Sequence, residues 1–414
     1  MKAQINVLLF IAVLLNSSLV TSGDNNLTES ITLDYENRLK AIFEDFHAHP
    51  ELSLAEFETA RKISAALKNH GFKVTENVGG TGVVALLENG KGPLVMMRAD
   101  MDGLPLEEKT DLPYASKDKQ LDPVTGNIFP VMHACGHDVH ITALIGTAKQ
   151  MVDLKSEWSG TLMLIAQPAE ERVLGARNMM NDNLWERFGK PDYALAFHVS
   201  SMLPSGIVNV VDGSPYAGAD TVDIYVHGIG AHGASPHAGK DPIVLGSQIV
   251  NSLQTLVSRE LPPRQPGVVT VGAFHSGTKH NIISDMAHLQ LTVRNTNDKT
   301  RDTLLSGIKR ISENLGRAAG LPEDKLPEVV ISEESTPPTI NDTELANRLK
   351  SLWQEKMGIN RVTSYSSDGM GAEDFPFFTR EPHIPSVYFA IGGTNHDYFK
   401  ACLLYTSPSP RDRS

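Results

Sequence analysis

His133-Ala134-Cys135-Gly136-His137-Asp138-Val139-His140 crowds three imidazoles, a thiol and a carboxylate into eight residues. Apolar Val131 and Met132 precede it, and the run 141–151 that follows has helical character. Such a density of donor atoms exceeds what a solvated loop needs. Cys135 and His137 are two apart, so an extended segment points both side chains the same way. A soft thiolate beside an imidazole suits zinc, manganese, cobalt or nickel far better than magnesium or calcium. The competing reading is a structural His/Cys cluster with no metal.

Working outward, 83–87 and 93–98 are short apolar runs bounded by Gly and Asn, as buried strands are. The second run delivers Asp100 and Asp102 at its C-terminal end, where ligands of open α/β sheets gather. Beyond the cluster, the apolar run 161–166 leads into Gln167-Pro168-Ala169-Glu170-Glu171. Neighbouring side chains point apart, so one Glu can bind a metal while the other faces a water as general base. A third strand, 192–197, ends at His198. Each feature alone has an ordinary explanation: Asp-Gly pairs form turns, Glu-Glu pairs start exposed helices, and a lone His is often a satisfied core residue. Three strand ends delivering donors around one cluster point instead to a metal site.

The flanking regions supply the scaffold. Helical spacing over 32–48 predicts an amphipathic helix, stopped by His49-Pro50-Glu51-Leu52. Ser53 and Glu56 have the spacing of a capping box for a second helix over 55–70. From about residue 217 the texture changes: 220–227 alternates polar and apolar residues, as a half-exposed antiparallel strand does. A glycine-rich turn over 228–237 carries His232 and His237. Helices over 241–258 and 300–315 and strands over 268–274 and 287–294 complete a compact α+β unit. Residues 327–332 and 387–391 return to buried-strand character. The expected architecture is therefore α/β with two domains. A catalytic, metal-binding domain spans 30–216 and 328–401, and an α+β lid or dimerisation domain over 217–327 is inserted in it.

A length of 414 residues is sufficient for two such cores, and the net charge of −12 argues against a general nucleic-acid binder. Residues 1–22 place Lys2 before apolar 7–15 and end in small or polar residues, the layout of a secretory signal peptide. The apolar core is too short to span a bilayer, so a secreted or periplasmic protein is expected, with no membrane contact after signal removal; a retained N-terminal anchor is the alternative. Export invites disulfides, yet the only cysteines are Cys135 and Cys402, and Cys135 reads as a ligand thiol.

Taken in order, His49-Pro50-Glu51-Leu52, Arg98-Ala99-Asp100-Met101-Asp102, His133-Ala134-Cys135-Gly136-His137-Asp138, Glu170-Glu171, His232-Gly233-Ala234-Ser235-Pro236-His237 and Gly371-Ala372-Glu373-Asp374-Phe375 form a specific series. The chain resembles the metal-dependent amidohydrolases that include hippurate hydrolases, bacterial aminoacylases and plant auxin-conjugate hydrolases, over roughly 31–401. The resemblance implies two divalent transition-metal ions per chain, manganese or zinc first, with cobalt or nickel as the other choices. It implies Cys135, His137, Glu171 and His198 as metal ligands, with one further His near the C-terminus, and Glu170 as general base. It implies that His232 reaches towards the scissile carbonyl, often from a partner subunit. Asn281 and Arg294 fall at positions expected to hold the substrate's carbonyl and carboxylate. The implied reaction is metal-dependent hydrolysis of N-acyl amino acids or related amides by a homodimer. An exo- or dipeptidase on the same scaffold is the nearest alternative. The thiol at 135 resembles the acyl-amino-acid branch, since the peptidase branch generally has a carboxylate there.

The end of the chain departs from this pattern. After Ile391-Gly392-Gly393-Thr394 the family's last ligand His and a closing helix are expected, but 402–414 is a Pro/Ser/Arg-rich stretch with no periodicity. We expect it to be a non-native tail, the natural chain stopping near Ala401. His396 lies too early to stand in for the missing ligand. A catalytically impaired homologue that binds metal or peptide is therefore a third reading.

Overall fold

The computed structural model describes residues 23–366 and 369–399. The suspected signal peptide and tail lie outside the described residues. Two compact units emerge, one of residues 23–215, 340–366 and 377–399, the other of 216–339 and 369–376.

In the first unit an eight-stranded mixed sheet runs in the order Lys73–Val78, Gly82–Asn89, Gly160–Gln167, Leu94–Asp100, Tyr193–Pro204, Ser386–Thr394, Val208–Asn209 and Val362–Thr363. The third to sixth of these are mutually parallel; Gly82–Asn89, Val208–Asn209 and Val362–Thr363 run antiparallel to them, while the outermost Lys73–Val78, antiparallel to Gly82–Asn89, runs the same way as the centre. Residues of the central strands are buried almost without interruption, which is why they read as apolar runs rather than alternating ones. The helix His137–Asp153 packs against them, and its core contacts are Ile141, Leu144, Ile145 and Ala148. Helices over 23–48 and Phe57–Asn69 join the same core.

Register explains why the strand ends converge. Asp100 lies opposite Gln167, and Arg98 lies opposite Ala196, so Asp100, the start of the 168–171 turn and His198 share one level of the sheet. His198 does not end its strand, as expected from the sequence. Its pairing with Leu94–Asp100 stops at Ala196, but the strand continues to Pro204 along Ser386–Thr394.

The expected capping box is also absent. The helix Phe57–Asn69 makes no side-chain cap at Glu56; the N–H groups of Glu58 and Thr59 donate to the Glu51 carboxylate instead. Ser53 and Glu56 are buried and turned inward, bonded to Asp102 and Ala169.

The second unit is a four-stranded antiparallel sheet in the order Gly267–Ser276, Met286–Asn295, Gly218–His227 and Glu328–Ile331. Helices Pro242–Thr255 and Asp298–Ala318 cover one face through Leu245, Ile249, Leu253, Leu304 and Ile308. The alternation of Val222, Ile224 and Val226 with half-exposed neighbours follows from that one-sided burial. Residues 328–331 belong to this sheet, as its edge, and do not return to buried character as expected. Their apolar Val329, Val330 and Ile331 mimic a core strand, whereas only Val329 packs on the helical face.

Candidate metal centre

The decisive local feature is Gly136. It adopts φ +85°, and a Cβ there would lie 2.4 Å from Val199 Cγ1. This left-handed residue ends the preceding turn and lets the helix start at His137, so 135–137 is not the extended segment expected from the spacing. Cys135 and His137 converge nevertheless: ligand atoms of Cys135, His137 and His198 lie within 4.8 Å of one another. The same holds for His137, Glu170 and Glu171, and for Asp100, His137 and His140.

Hydrogen bonds set the histidine tautomers. His137 Nδ1 donates to the Asp102 carbonyl oxygen at 2.9 Å, and His198 Nδ1 donates to the Val199 carbonyl oxygen at 2.6 Å. Both rings therefore turn Nε2 towards the cluster, the arrangement metal-ligating histidines use. His198 Nε2 lies 3.3 Å from Cys135 Sγ. His137 Nε2 lies 3.8 Å from Glu170 Oε2 and 3.9 Å from Glu171 Oε1.

His140 is used differently. Its Nδ1 donates to Asp100, and its Nε2 accepts the Val199 N–H at 3.0 Å, so neither nitrogen is free for an ion. Burial outweighs the pull of Asp100 and lowers its pKa to about 4, keeping the ring neutral. Asp100 is paired with the fully buried Arg98, whose Nε donates to Gln167 Oε1 at 2.7 Å. His133, the third imidazole of the motif, is buried and bonds through neither nitrogen; burial lowers its pKa to about 4 as well. The motif thus contributes Cys135 and His137 to the cluster and uses His140 behind it.

The electrostatics suit a cation. Burial works against a charged His137, but Asp100, Asp102 and Cys135 together hold its pKa well above the usual value. Burial pushes the Glu171 carboxyl up to about 7 against the opposing pull of His137. Burial likewise raises the Cys135 thiol. His137 Nε2 and Glu171 Oε1 are shielded from solvent without a hydrogen-bond partner. Buried polar atoms are rarely left so. A thiol, two imidazoles and two carboxylates around such atoms form a donor set of the kind borderline transition metals take, so the residues fit the metal that the sequence implied.

The second unit carries the other predicted residues. His232 lies opposite Ile282 in a short antiparallel pairing, and the Gly233 N–H donates to the Asn281 carbonyl oxygen. This brings His232 and Asn281 side by side. His232 Nδ1 accepts the Ala234 N–H at 3.1 Å, leaving Nε2 as the ring's proton donor. Asn281 Oδ1 is shielded and unbonded. Arg294 stands apart from this pair, opposite Ala219 and eight residues along its strand from Met286. That separation is roughly 26 Å. Its Nε donates to Thr292 Oγ1 at 3.0 Å.

Sequence reasoning missed Ser53 and Glu56. Ser53 Oγ donates to Asp102 Oδ2, which also accepts the Glu171 N–H, while Glu56 Oε1 accepts the Ala169 N–H. Their S-x-x-E spacing imitates a helix cap, and nothing local in the sequence distinguishes the two uses.

Comparison with known proteins identifies the family. Residues 96–401 match peptidase family M20/M25/M40. The chain is 35% identical over 374 residues to thermostable carboxypeptidase 1 of Saccharolobus solfataricus, covering 89% of each protein. It is 35% identical over 347 residues to the hippurate hydrolase of Campylobacter jejuni, covering 84% of this chain and 86% of that one. Among solved structures, a dinuclear metal-binding peptidase of the M20 family from Bacillus subtilis superposes with a TM-score of 0.71 at 27% identity, covering 89% of this chain and 95% of that one. The chain belongs to peptidase family M20/M25/M40 and is, with its relatives, a hydrolase of amide bonds.

Proposed function

We propose that this protein hydrolyses the amide bond of N-acyl amino acids in a divalent-metal-dependent reaction. The observation that carries the reading is the cluster around His137 Nε2, where a thiol, an imidazole and two carboxylates face one buried, unpartnered ring nitrogen. Cys135, His137, Glu171 and His198 would hold the metal, manganese or zinc by preference. Bound there, two divalent ions would supply Lewis acidity that lowers the pKa of water and polarises an acyl oxygen. Glu170 is the residue left to move the proton, taking it from the attacking water and delivering it to the leaving amine. The proton on Nε2 of the partner subunit's His232 suits an acyl oxygen that gains charge, and the forked guanidinium of Arg294, set too far from the His232 of its own chain to share a small substrate with it, suits the amino-acid carboxylate. Asn281 supports the substrate carbonyl in this reading.

The second unit serves as the lid and dimerisation domain, and the protein works as a homodimer outside the cytoplasm, secreted or periplasmic. Among the described residues, no helix is long and apolar enough to cross a membrane.

The test is metal content per chain by elemental analysis, together with a panel of N-acetyl and N-benzoyl amino acids and unblocked dipeptides. Expected are transition metal in the purified protein, turnover of the acyl amino acids, and loss of turnover with metal retained in Glu170→Ala. Preference for dipeptides would move the assignment to the peptidase branch. Protein that takes up no transition metal would sink the reading altogether.

A further inference from the structure

The turn that presents Glu170 is backbone-strained. Ala169 sits at φ +48° and Val173 at φ +58°, both unusual for residues with a side chain. The turn's carbonyls are occupied locally: that of Ala169 accepts from Leu174 and Gly175, and that of Glu170 accepts from Val173. Two of its N–H groups leave the turn and end on carboxylates. The Ala169 N–H donates to Glu56 Oε1 at 2.7 Å, and the Glu171 N–H donates to Asp102 Oδ2 at 3.0 Å. The first belongs to the peptide joining Pro168 to Ala169, one residue before Glu170, and the second to the peptide joining Glu170 to Glu171.

Glu56 is fully buried, and its second oxygen accepts from Thr81 Oγ1 at 2.6 Å. Neither oxygen is within the candidate metal clusters. A buried carboxylate that accepts a strained peptide N–H from 113 residues away is an expensive way to complete a helix start. The helix that follows is capped by Glu51 instead. We propose that Glu56 is a positioning residue for Glu170: it locks the left-handed Ala169 peptide and so aims the proton-transferring carboxylate, while Asp102 fixes the peptide on the other side. The inference rests on the reading of Glu170 given above. Catalytic groups displaced by about 1 Å lose turnover steeply, so the effect belongs in kcat.

The experiment compares Glu56→Ala, Glu56→Gln and Thr81→Val in the full chain loaded with manganese or zinc. Steady-state hydrolysis of benzoylglycine, metal content and hydrogen exchange of the peptide spanning 168–175 are measured on each. Glu56→Ala is expected to lower kcat by about tenfold or more with KM within about twofold and metal content unchanged. Glu56→Gln is expected to recover most of that loss, because its amide accepts from Ala169 and donates to Thr81. Exchange over 168–175 is expected to accelerate in Glu56→Ala only. Unchanged kcat in Glu56→Ala, loss of metal in step with kcat, or a Gln variant no better than Ala would each overturn the proposal. Should Glu56→Ala fail to fold, Thr81→Val, which removes one of the two contacts, decides: a fall in kcat at constant KM supports the proposal and no change refutes it. If the parent protein does not turn over benzoylglycine, the substrate reading fails, and the exchange data alone then decide whether Glu56 holds the turn.

Discussion

Gly136 carries two constraints at once, a left-handed backbone and contact with Val199. An L-residue in that conformation costs about 1–2 kcal/mol, and relieving the overlap adds a comparable amount. Gly136→Ala is therefore expected to lose roughly 2–4 kcal/mol in chemical denaturation and to bind metal more weakly, since both neighbours are proposed ligands. Adding Val199→Ala should return part of the stability but not the backbone share. Denaturation curves unchanged by Gly136→Ala would mean that the turn can be built another way. At this scale the sequence was informative where chemistry and spacing are local. Cys135, His137, Glu170, Glu171 and His198 were legible as one cluster because their motif and several strand ends coincide, although each feature alone has an ordinary explanation. Glu56, Ser53 and the division of labour between His137 and His140 were not, because each depends on a partner distant in the chain.

Among the elements, the join between the helix Lys40–Ala48 and the loop over 104–118 depends on His47. Its Nδ1 lies 2.7 Å from Asp138 and its Nε2 lies 3.0 Å from Glu108, which also accepts the Ser116 N–H. Burial alone would lower the imidazole's pKa, but the hydrogen bonds to Asp138 and Glu108 win and raise it from 6.5 to about 9. A folded-state pKa above the unfolded one gives stability that is complete below 6.5 and is lost as pH rises through about 9. His47→Gln is thus expected to be less stable than the parent by on the order of 1–2 kcal/mol at pH 6, after allowance for solvent screening. The gap should close by pH 10, followed by denaturant melts across that range; a gap independent of pH would assign the loss to packing. Elements were legible where burial is one-sided or complete. The strand Glu328–Ile331 was misread because three consecutive apolar residues look alike on a sheet edge and in a core.

The whole molecule holds two separate apolar cores, one around the eight-stranded sheet and one between the four-stranded sheet and its helices. The proposed metal ligands all belong to the first. A ligand that binds only folded protein stabilises the part it binds. Calorimetry is expected to resolve two transitions, of which a chelator lowers one and leaves the other in place. A single transition shifting as a whole would show that the two units unfold together. The α/β class and the change of texture near residue 217 could be read from patterning, because each core imposes its own periodicity on its strands.

The strand Ser386–Thr394 lies between Tyr193–Pro204 and Val208–Asn209, two segments that are close neighbours in the chain. During synthesis, then, the wall that carries His198 waits with an unpaired edge while nearly 180 further residues are made. The intervening four-stranded unit can finish folding in that interval. Long-range strand insertion of this kind is slow and leaves a sticky edge exposed. The metal centre is thus among the last parts of the molecule to be completed, and a ribosome-bound chain stalled before residue 386 should carry a folded second unit and no competent site.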